Sequence, residues 1–306
     1  MAVAAVAGER LAGTLLGTAL GDALGLPAER MSPAAIRRRF GRMDEFHLLG
    51  RWGFVGAGLA TARACLRIAL GLSRSGVPSA GNGAAMRSAI VGAFFDEEGE
   101  RRRRSAAALA QVTHTDPRAA QGALFVAEVA AASSAQAAEP SPERAVEAAM
   151  PVVGEASLLG ALETARALAA PGAETTEAAA ALGTSGFVVQ TVPFATFCFL
   201  TAGRDPLAAI VRAVSAGGDT DSIGAIVGAW VGALHGAAGL PAGLVSRIQD
   251  GPFGPTHLRA LGRWLSTVRQ GERAEGVGFS ALAAFARNLA LRPVILGHGF
   301  RRLLPF

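Results

Sequence analysis

At 306 residues the chain can bury a large core, and 51% hydrophobic against 17% charged content excludes a disordered or linker-like polypeptide. All 29 basic residues are arginine and 24 residues are acidic, so the net charge is only +5 although the isoelectric point is about 10.9. A nucleic-acid partner is not expected: the one basic run, Arg101–Arg104, follows Asp96-Glu97-Glu98 without interleaved aromatics and reads as a solvated, charge-paired turn.

Almost every segment reads as helix, because alanine is abundant, alternating β-branched runs are scarce, and glycine or proline punctuates at helix-length intervals. The first helix is expected over residues 9–24, ending near Gly25 and Pro27, and a short one starts at Pro33. Glu45 to Gly58 reads as irregular, with Trp52-Gly53-Phe54, and Leu59 to Leu72 as a helix. Ser79 to Gly83 is a loop leading into a helix from Ala84 to Phe95, and Arg103 to Val112 follows. Asp116-Pro117 is a capped start for a helix through Ser133, and Ser141 for one over Glu143 to Met150. Leu158 to Ala169 and Thr175 to Leu182 come next, then the apolar helix Phe187 to Thr201 and one from Asp205-Pro206 to Ser215. Gly217-Gly218-Asp219-Thr220-Asp221-Ser222 opens the apolar run Ile223 to Gly239. Thr256 to Val268, Phe279 to Leu291 and an arginine-bearing tail complete the chain.

With no strand meander, repeat period or linker, the expectation is one compact all-α, multi-helix domain over 1–306. Ile223 to Gly239 approaches the length of a membrane span, but His235, several glycines and two leading aspartates favour a buried central helix, so no membrane partner is expected. Glu9 and Arg10 interrupt the apolar N-terminus and argue against a signal peptide. Cys65 and Cys198 lie in separate apolar runs and read as two buried free thiols, consistent with a reducing, cytoplasmic location.

Two stretches concentrate oxygen ligands. Asp219, Asp221 and Ser222 can aim two carboxylates and a hydroxyl at one hard cation; the plain alternative is a doubly acidic N-cap. Asp22 and Glu29 follow the first apolar helix and have an equally plain alternative as cap and surface residue. Gly81-Asn82-Gly83 before a helix suits an anion approaching backbone N–H groups, or is simply a turn. His114, between Thr113 and Thr115, is either a ligand contact or structural.

Taken in order, Gly17-x-x-x-Gly21-Asp22-Ala-Leu-Gly25-x-Pro27-x-Glu29, Gly81-Asn-Gly-x-x-Met86-Arg87, Thr113-His114-x-x-Pro117, Gly186-Phe187 with Thr191-Val-Pro193, and Gly217-Gly-Asp219-Thr-Asp221-Ser222 with Gly228 and Pro241 resemble the ADP-ribosylglycohydrolase family, over residues 9–245. The resemblance implies an all-α fold with a cleft for ADP-ribose over two Mg²⁺ or Mn²⁺ ions, and cleavage of the glycosidic bond joining ADP-ribose to a protein side chain. It also implies roles: Asp219, Asp221 and Ser222 as metal ligands, Glu29 and Asp22 as catalytic carboxylates, and Gly81, Asn82, Gly83, His114, Gly122, Gly186 and Phe187 as ligand-binding residues.

One element of that pattern is missing. The family's first metal motif, Thr-Asp-Asp-Thr, falls in register on Leu59-Ala60-Thr61-Ala62, and no Asp or Glu occurs between Glu45 and Asp96. One Mg²⁺ or Mn²⁺ ion at most, or none, is therefore expected, because a dication in an oxygen site needs anionic ligands to offset its dehydration. Three readings stay open: a protein binding ADP-ribose or an ADP-ribosylated protein with weakened or altered hydrolysis, an active single-metal N- or O-glycosidic hydrolase, and a non-catalytic scaffold.

Overall fold

The computed structural model describes residues 2–47, 59–72, 75–136, 139–170, 172–290 and 293, with backbone alone for 2–4 and 59–62. It is all-α: the β-type pairings among the described residues are two isolated bridges, Val77 with His114 and Gly81 with Phe187. The helices are α1 (Ala2–Gly25), α2 (Pro33–Phe40), α3 (Leu59–Ala69), α4 (Ala89–Phe94), α5 (Gly99–Gln111), α6 (Pro117–Ser134), α7 (Pro142–Ala149), α8 (Ala156–Leu168), α9 (Thr175–Leu182), α10 (Val188–Ala202), α11 (Pro206–Val214), α12 (Thr220–Gly239), α13 (Ala242–Val245) and α14 (Pro255–Arg269). A further helix, α15, covers residues 281–290.

Local chemistry sets most of these starts. The carboxylate of Asp116 accepts from Arg118 N, the hydroxyl of Ser141 from Arg144 N, and Asp205 from Leu207 N and Ala208 N, each with proline at the first helical position. The helix expected over Ala84 to Phe95 is instead a 3₁₀ turn, Ala85–Arg87, followed by α4. The Ser88 hydroxyl donates to the Ala84 carbonyl at 2.7 Å while Ser88 N tightens onto Ala85 O, so the side chain displaces the backbone from its i−4 partner. The expected irregular stretch falls largely on residues 48–58, outside the described residues.

The centre of the molecule is an antiparallel pair, α1 against α12. Gly13, Gly17, Gly21 and Gly25 recur every fourth residue and lie over Gly232, Gly228, Gly224 and Thr220. A Cβ on Gly17 would sit 1.9 Å from Gly228 O, and one on Gly228 2.0 Å from Gly17 O, so only glycine permits this spacing of the two backbones. Each glycine costs a helix about 1 kcal/mol relative to alanine. Burial of Leu16, Leu20, Leu24, Ile223, Ile226 and Val227 around the seam offsets that cost. α12 runs on to a break at Gly236, whose φ is +74°.

Both members of the pair are long and apolar enough to cross a membrane by length and composition, but 78% and 83% of the two apolar windows are buried inside the fold. α6 and α10 complete the core on α12. Fully buried Trp230 donates Nε1 to Val126 O at 3.0 Å and packs on Phe125 and Phe199.

Two sequence expectations need correction. Arg101–Arg104 belong to helix α5 rather than a solvated turn, and Arg102 is buried. Its guanidinium lies 2.6 Å from Glu128 of α6 and donates to the carbonyls of Phe95 and Asp96, while Arg103 reaches the other Glu128 oxygen at 2.9 Å. Cys198 is buried as expected, but Cys65 is exposed, because the face of α3 that carries it does not point into the core.

Candidate functional site

The site forms where the C-terminal end of α1 meets the N-terminal end of α12. The approach to α12 is shaped by Gly217 and Gly218, with φ of +79° and +78°, a conformation that side-chain-bearing residues rarely adopt. It is stitched to distant chain on both sides: Gly218 exchanges backbone hydrogen bonds with Arg30 and Met31, and Asp219 N donates to Thr184 O at 2.7 Å. A Cβ on Gly218 would lie 2.2 Å from that same Thr184 oxygen.

Asp219 occupies the N-cap position of α12 yet makes no side-chain cap bond. Its carboxylate bonds elsewhere: Oδ2 accepts from Asn82 Nδ2 at 2.6 Å. Asp221 Oδ1 accepts from Ser222 N at 2.8 Å. Glu29, brought in by the turn after α1, completes a group in which Glu29, Asp219 and Asp221 each present an oxygen within 4.8 Å of the others. Asp22 lies beneath, 1% exposed, and neither of its oxygens has a hydrogen-bond partner.

Burial and mutual repulsion act on these carboxyls. Burial, then the charges of Asp221, Glu29 and Asp219, holds the Asp22 carboxyl well above the usual carboxylate range. Asp221 is pushed up to about 8, chiefly by burial and then by its hydrogen bond with Asp219 and the charges of Asp219 and Glu29. Arg30 Nε lies 3.5 Å from Glu29, but its side chain is 86% exposed and contributes little in bulk solvent.

The remaining sequence-derived residues gather on one neighbouring wall, with one exception. The Gly81–Phe187 bridge, in which Asn82 N donates to Gly186 O and Val188 N to Ala80 O, holds the Gly81–Gly83 loop against the start of α10. The backbone N–H groups of Gly81 and Asn82 are already used, by Ser79 Oγ and Gly186 O, so an anion there would not find them open. His114 is buried beside this loop: a Cβ on Gly81 would be 3.4 Å from His114 Nε2, and Nδ1 faces Thr113 Oγ1 at 2.7 Å. Burial, then the charge of Arg87, lowers the His114 pKa, and Arg87 also donates to Thr113 and to Gly83 O. Phe187 is half-buried under the guanidinium of Arg118, 5.3 Å from the ring centroid. The exception is Gly122, which lies inside α6 where a Cβ would sit 2.3 Å from Val188, a helix-packing position.

Ser222 is buried, its hydroxyl 4.0 Å from Met86 Sδ. The sequence assigned no role to Thr191 or Thr184; the signal for Thr191 was its place in the quoted Thr191-Val-Pro193 motif, one turn after Phe187, and for Thr184 its position two residues before Gly186. Two surface cavities, of about 300 and 530 Å³, are lined by none of Glu29, Asp219 and Asp221. Leu59–Ala62, where the first metal motif would fall, open α3, and their side chains lie outside the described residues.

Against known proteins, the sequence model of ADP-ribosylglycohydrolase matches residues 4–62 and 48–275. The chain belongs to the ADP-ribosylglycohydrolase family. An uncharacterised protein of Archaeoglobus fulgidus is 29% identical to this family member over 270 residues, covering 74% of this chain and 87% of its own length. A solved structure described as an ADP-ribosylglycohydrolase-related protein complex superposes with a TM-score of 0.64 at 22% identity, covering 86% of this ADP-ribosylglycohydrolase-family chain and 99% of the other, a likeness in fold.

Proposed function

We propose that this family member binds ADP-ribose, or the ADP-ribosyl group of a modified protein, beside a carboxylate site that takes at most one Mg²⁺ or Mn²⁺, and that glycosidic hydrolysis there is weakened or altered. The carrying observation is the convergence of Glu29, Asp219 and Asp221 beside Asp22, whose carboxylate oxygens have no hydrogen-bond partner, in a chain whose Leu59–Ala62 stretch carries no acid. Clustered carboxylate oxygens of this kind suit a hard, oxygen-seeking dication, so the residues present fit one such ion. Asp219, Asp221 and Glu29 would hold it, with the Ser222 hydroxyl beside them. When bound, such an ion supplies Lewis-acid polarisation of oxygen and a lowered pKa for bound water.

The rest falls to the chain itself. Glu29, with a side chain 29% exposed, is the carboxylate that can meet a substrate and move a proton at the glycosidic oxygen or an attacking water. Asp22 is fully enclosed, its carboxyl pKa raised by burial and by the neighbouring acids, and is not the group placed to meet a substrate. Phe187 offers a ring face for a base or ribose, and the Gly81–Gly83 loop, packed on buried His114, forms the adjoining wall.

A second reading, an active single-metal hydrolase, is favoured by the placement of Glu29 against the two aspartates. Calorimetry with ADP-ribose, with and without Mg²⁺ or Mn²⁺, followed by release assays on ADP-ribosylated arginine and serine peptides, separates the two. Binding with little or no release supports the proposal, and rapid metal-dependent release supports the hydrolase. Absence of binding leaves a scaffold role and overturns both.

A further inference from the structure

The Gly81–Gly83 loop looks like a ligand loop, yet its central side chain is occupied elsewhere. Asn82 is 7% exposed. Its Nδ2 donates one N–H to Asp219 Oδ2 at 2.6 Å and the other to Thr191 Oγ1 at 2.9 Å. Thr191 is fully buried and spends its own hydroxyl proton on Ser185 O at 2.7 Å. Its oxygen can therefore only accept from Asn82, which fixes which end of the Asn82 amide faces Asp219. The reverse orientation would set the amide oxygen against a carboxylate oxygen at 2.6 Å. The loop backbone is fixed as well, with Asn82 N on Gly186 O and Met86 N on Asn82 O. Gly186 completes the enclosure, since a Cβ there would lie 2.9 Å from Asp219 Oδ2.

We propose that Asn82, oriented by Thr191, is a positioning residue for Asp219: it holds the carboxylate in the rotation that faces Glu29 and Asp221 and so sets the affinity of the cluster for a divalent ion. This rests on the metal reading above. The relay runs one way, Asn82 to Thr191 to the Ser185 carbonyl, so the amide has no second stable orientation. Without it, a carboxylate that makes no cap bond is free to rotate toward the N–H groups of its own helix, the ordinary behaviour of aspartate at a helix start. Hydrogen-bond partners behind metal ligands commonly contribute 10- to 100-fold in metal affinity.

The test is Mn²⁺ titration followed by the electron paramagnetic resonance of free Mn²⁺, with ADP-ribose binding in Mn²⁺-free buffer measured in parallel. Asn82→Ala and Asn82→Asp should each weaken Mn²⁺ about 10-fold or more. Thr191→Val should weaken it several-fold, and Thr191→Ser, which keeps the hydroxyl, should return it to the wild-type value. For the two Thr191 variants, Mn²⁺-free ADP-ribose affinity should stay within about twofold. If Asn82→Ala is too unstable to purify, the Thr191→Val and Thr191→Ser comparison decides alone. Unchanged Mn²⁺ affinity with lost ADP-ribose affinity would overturn the inference and make Asn82 a ligand contact. Wild-type protein that takes up no Mn²⁺ would overturn the metal reading together with it, a failure visible before any variant is made.

Discussion

Gly17 of α1 and Gly228 of α12 face each other so closely that a Cβ on the first would stand 1.9 Å from the carbonyl oxygen of the second. The obstructing atom is backbone and cannot rotate aside, so the two helices must separate or shift. Gly17→Ala is expected to destabilise the protein by about 3 kcal/mol, the upper end of ordinary overpacking. Gly160→Ala, in the exposed part of α8 with open space around it, should stabilise by about 0.5–1 kcal/mol. Urea denaturation of the two variants checks both signs; a Gly17→Ala protein as stable as wild type would disprove the tight seam.

The Asp221 carboxyl predicts how stability follows pH. Its pKa rises from an ordinary 3.8 to about 8 in the folded chain, so the folded protein keeps a proton that the unfolded chain releases. That contribution is fully present below the unfolded value and is lost as pH rises toward the folded one. The melting temperature in chelator should therefore fall between pH 5 and pH 8. Millimolar Mg²⁺ or Mn²⁺ should recover it at pH 8 and much less at pH 5, where protons compete for the same oxygens. Scanning calorimetry at the two pH values, with and without ion, reads all four corners, and an ion effect equal at both would contradict the assignment.

Removing a charge from the cluster should separate stability from binding. Asp221→Asn can still accept from Ser222 N through its amide oxygen, while relieving the repulsion from Asp219 and Glu29. In chelator at pH 8 its melting temperature should rise by at least about 2 °C. The upward shift on adding Mn²⁺ should disappear. A variant less stable than wild type without metal would show that Asp221 is a structural partner rather than a ligand held against its own repulsion.

Much of the architecture was legible because its causes are local. Asp116-Pro117, Ser141-Pro142 and Asp205-Pro206 each join a cap to a proline within two residues, and each starts a helix at the expected place. Asp219 and Asp221 stood out because two acids opening an apolar helix need an explanation. Glu29 could not be placed beside them from sequence, since the turns that bring it there are held by hydrogen bonds between Arg30 or Met31 and Gly218, nearly two hundred residues away. Burial of Arg102 was hidden in the same way, its carboxylate partner lying on the next helix. The role of Thr191 depends on a side chain 109 residues distant.

The Arg102–Glu128 pair joins α5 to α6 and supplies a separate stability test. Arg102→Ala strips a buried carboxylate of its closest partner and frees the carbonyls of Phe95 and Asp96, and should cost about 3 kcal/mol. Arg103 still reaches Glu128 from an exposed position and keeps the loss from being larger. The double variant Arg102→Met, Glu128→Leu should be closer to wild type than Arg102→Ala alone, because no unpaired charge is left behind. Guanidinium unfolding of the two proteins decides the order; the reverse order would mean that the pair stabilises through its own attraction.

The spine of α1 and α12 works like a pair of tongs. One arm ends at Asp22, Gly25 and Glu29, the other begins at Asp219 and Asp221, and the gap between the tips follows from how closely the arms lie along their length. Gly13, twelve residues back along α1 from Gly25, is about 18 Å from the tips by helical rise. The reach of Glu29 toward the aspartates thus depends partly on residues that never approach it: a single methyl group at Gly13, at the far end of the handle, would meet the Gly232 carbonyl oxygen at 2.2 Å and force the arms apart.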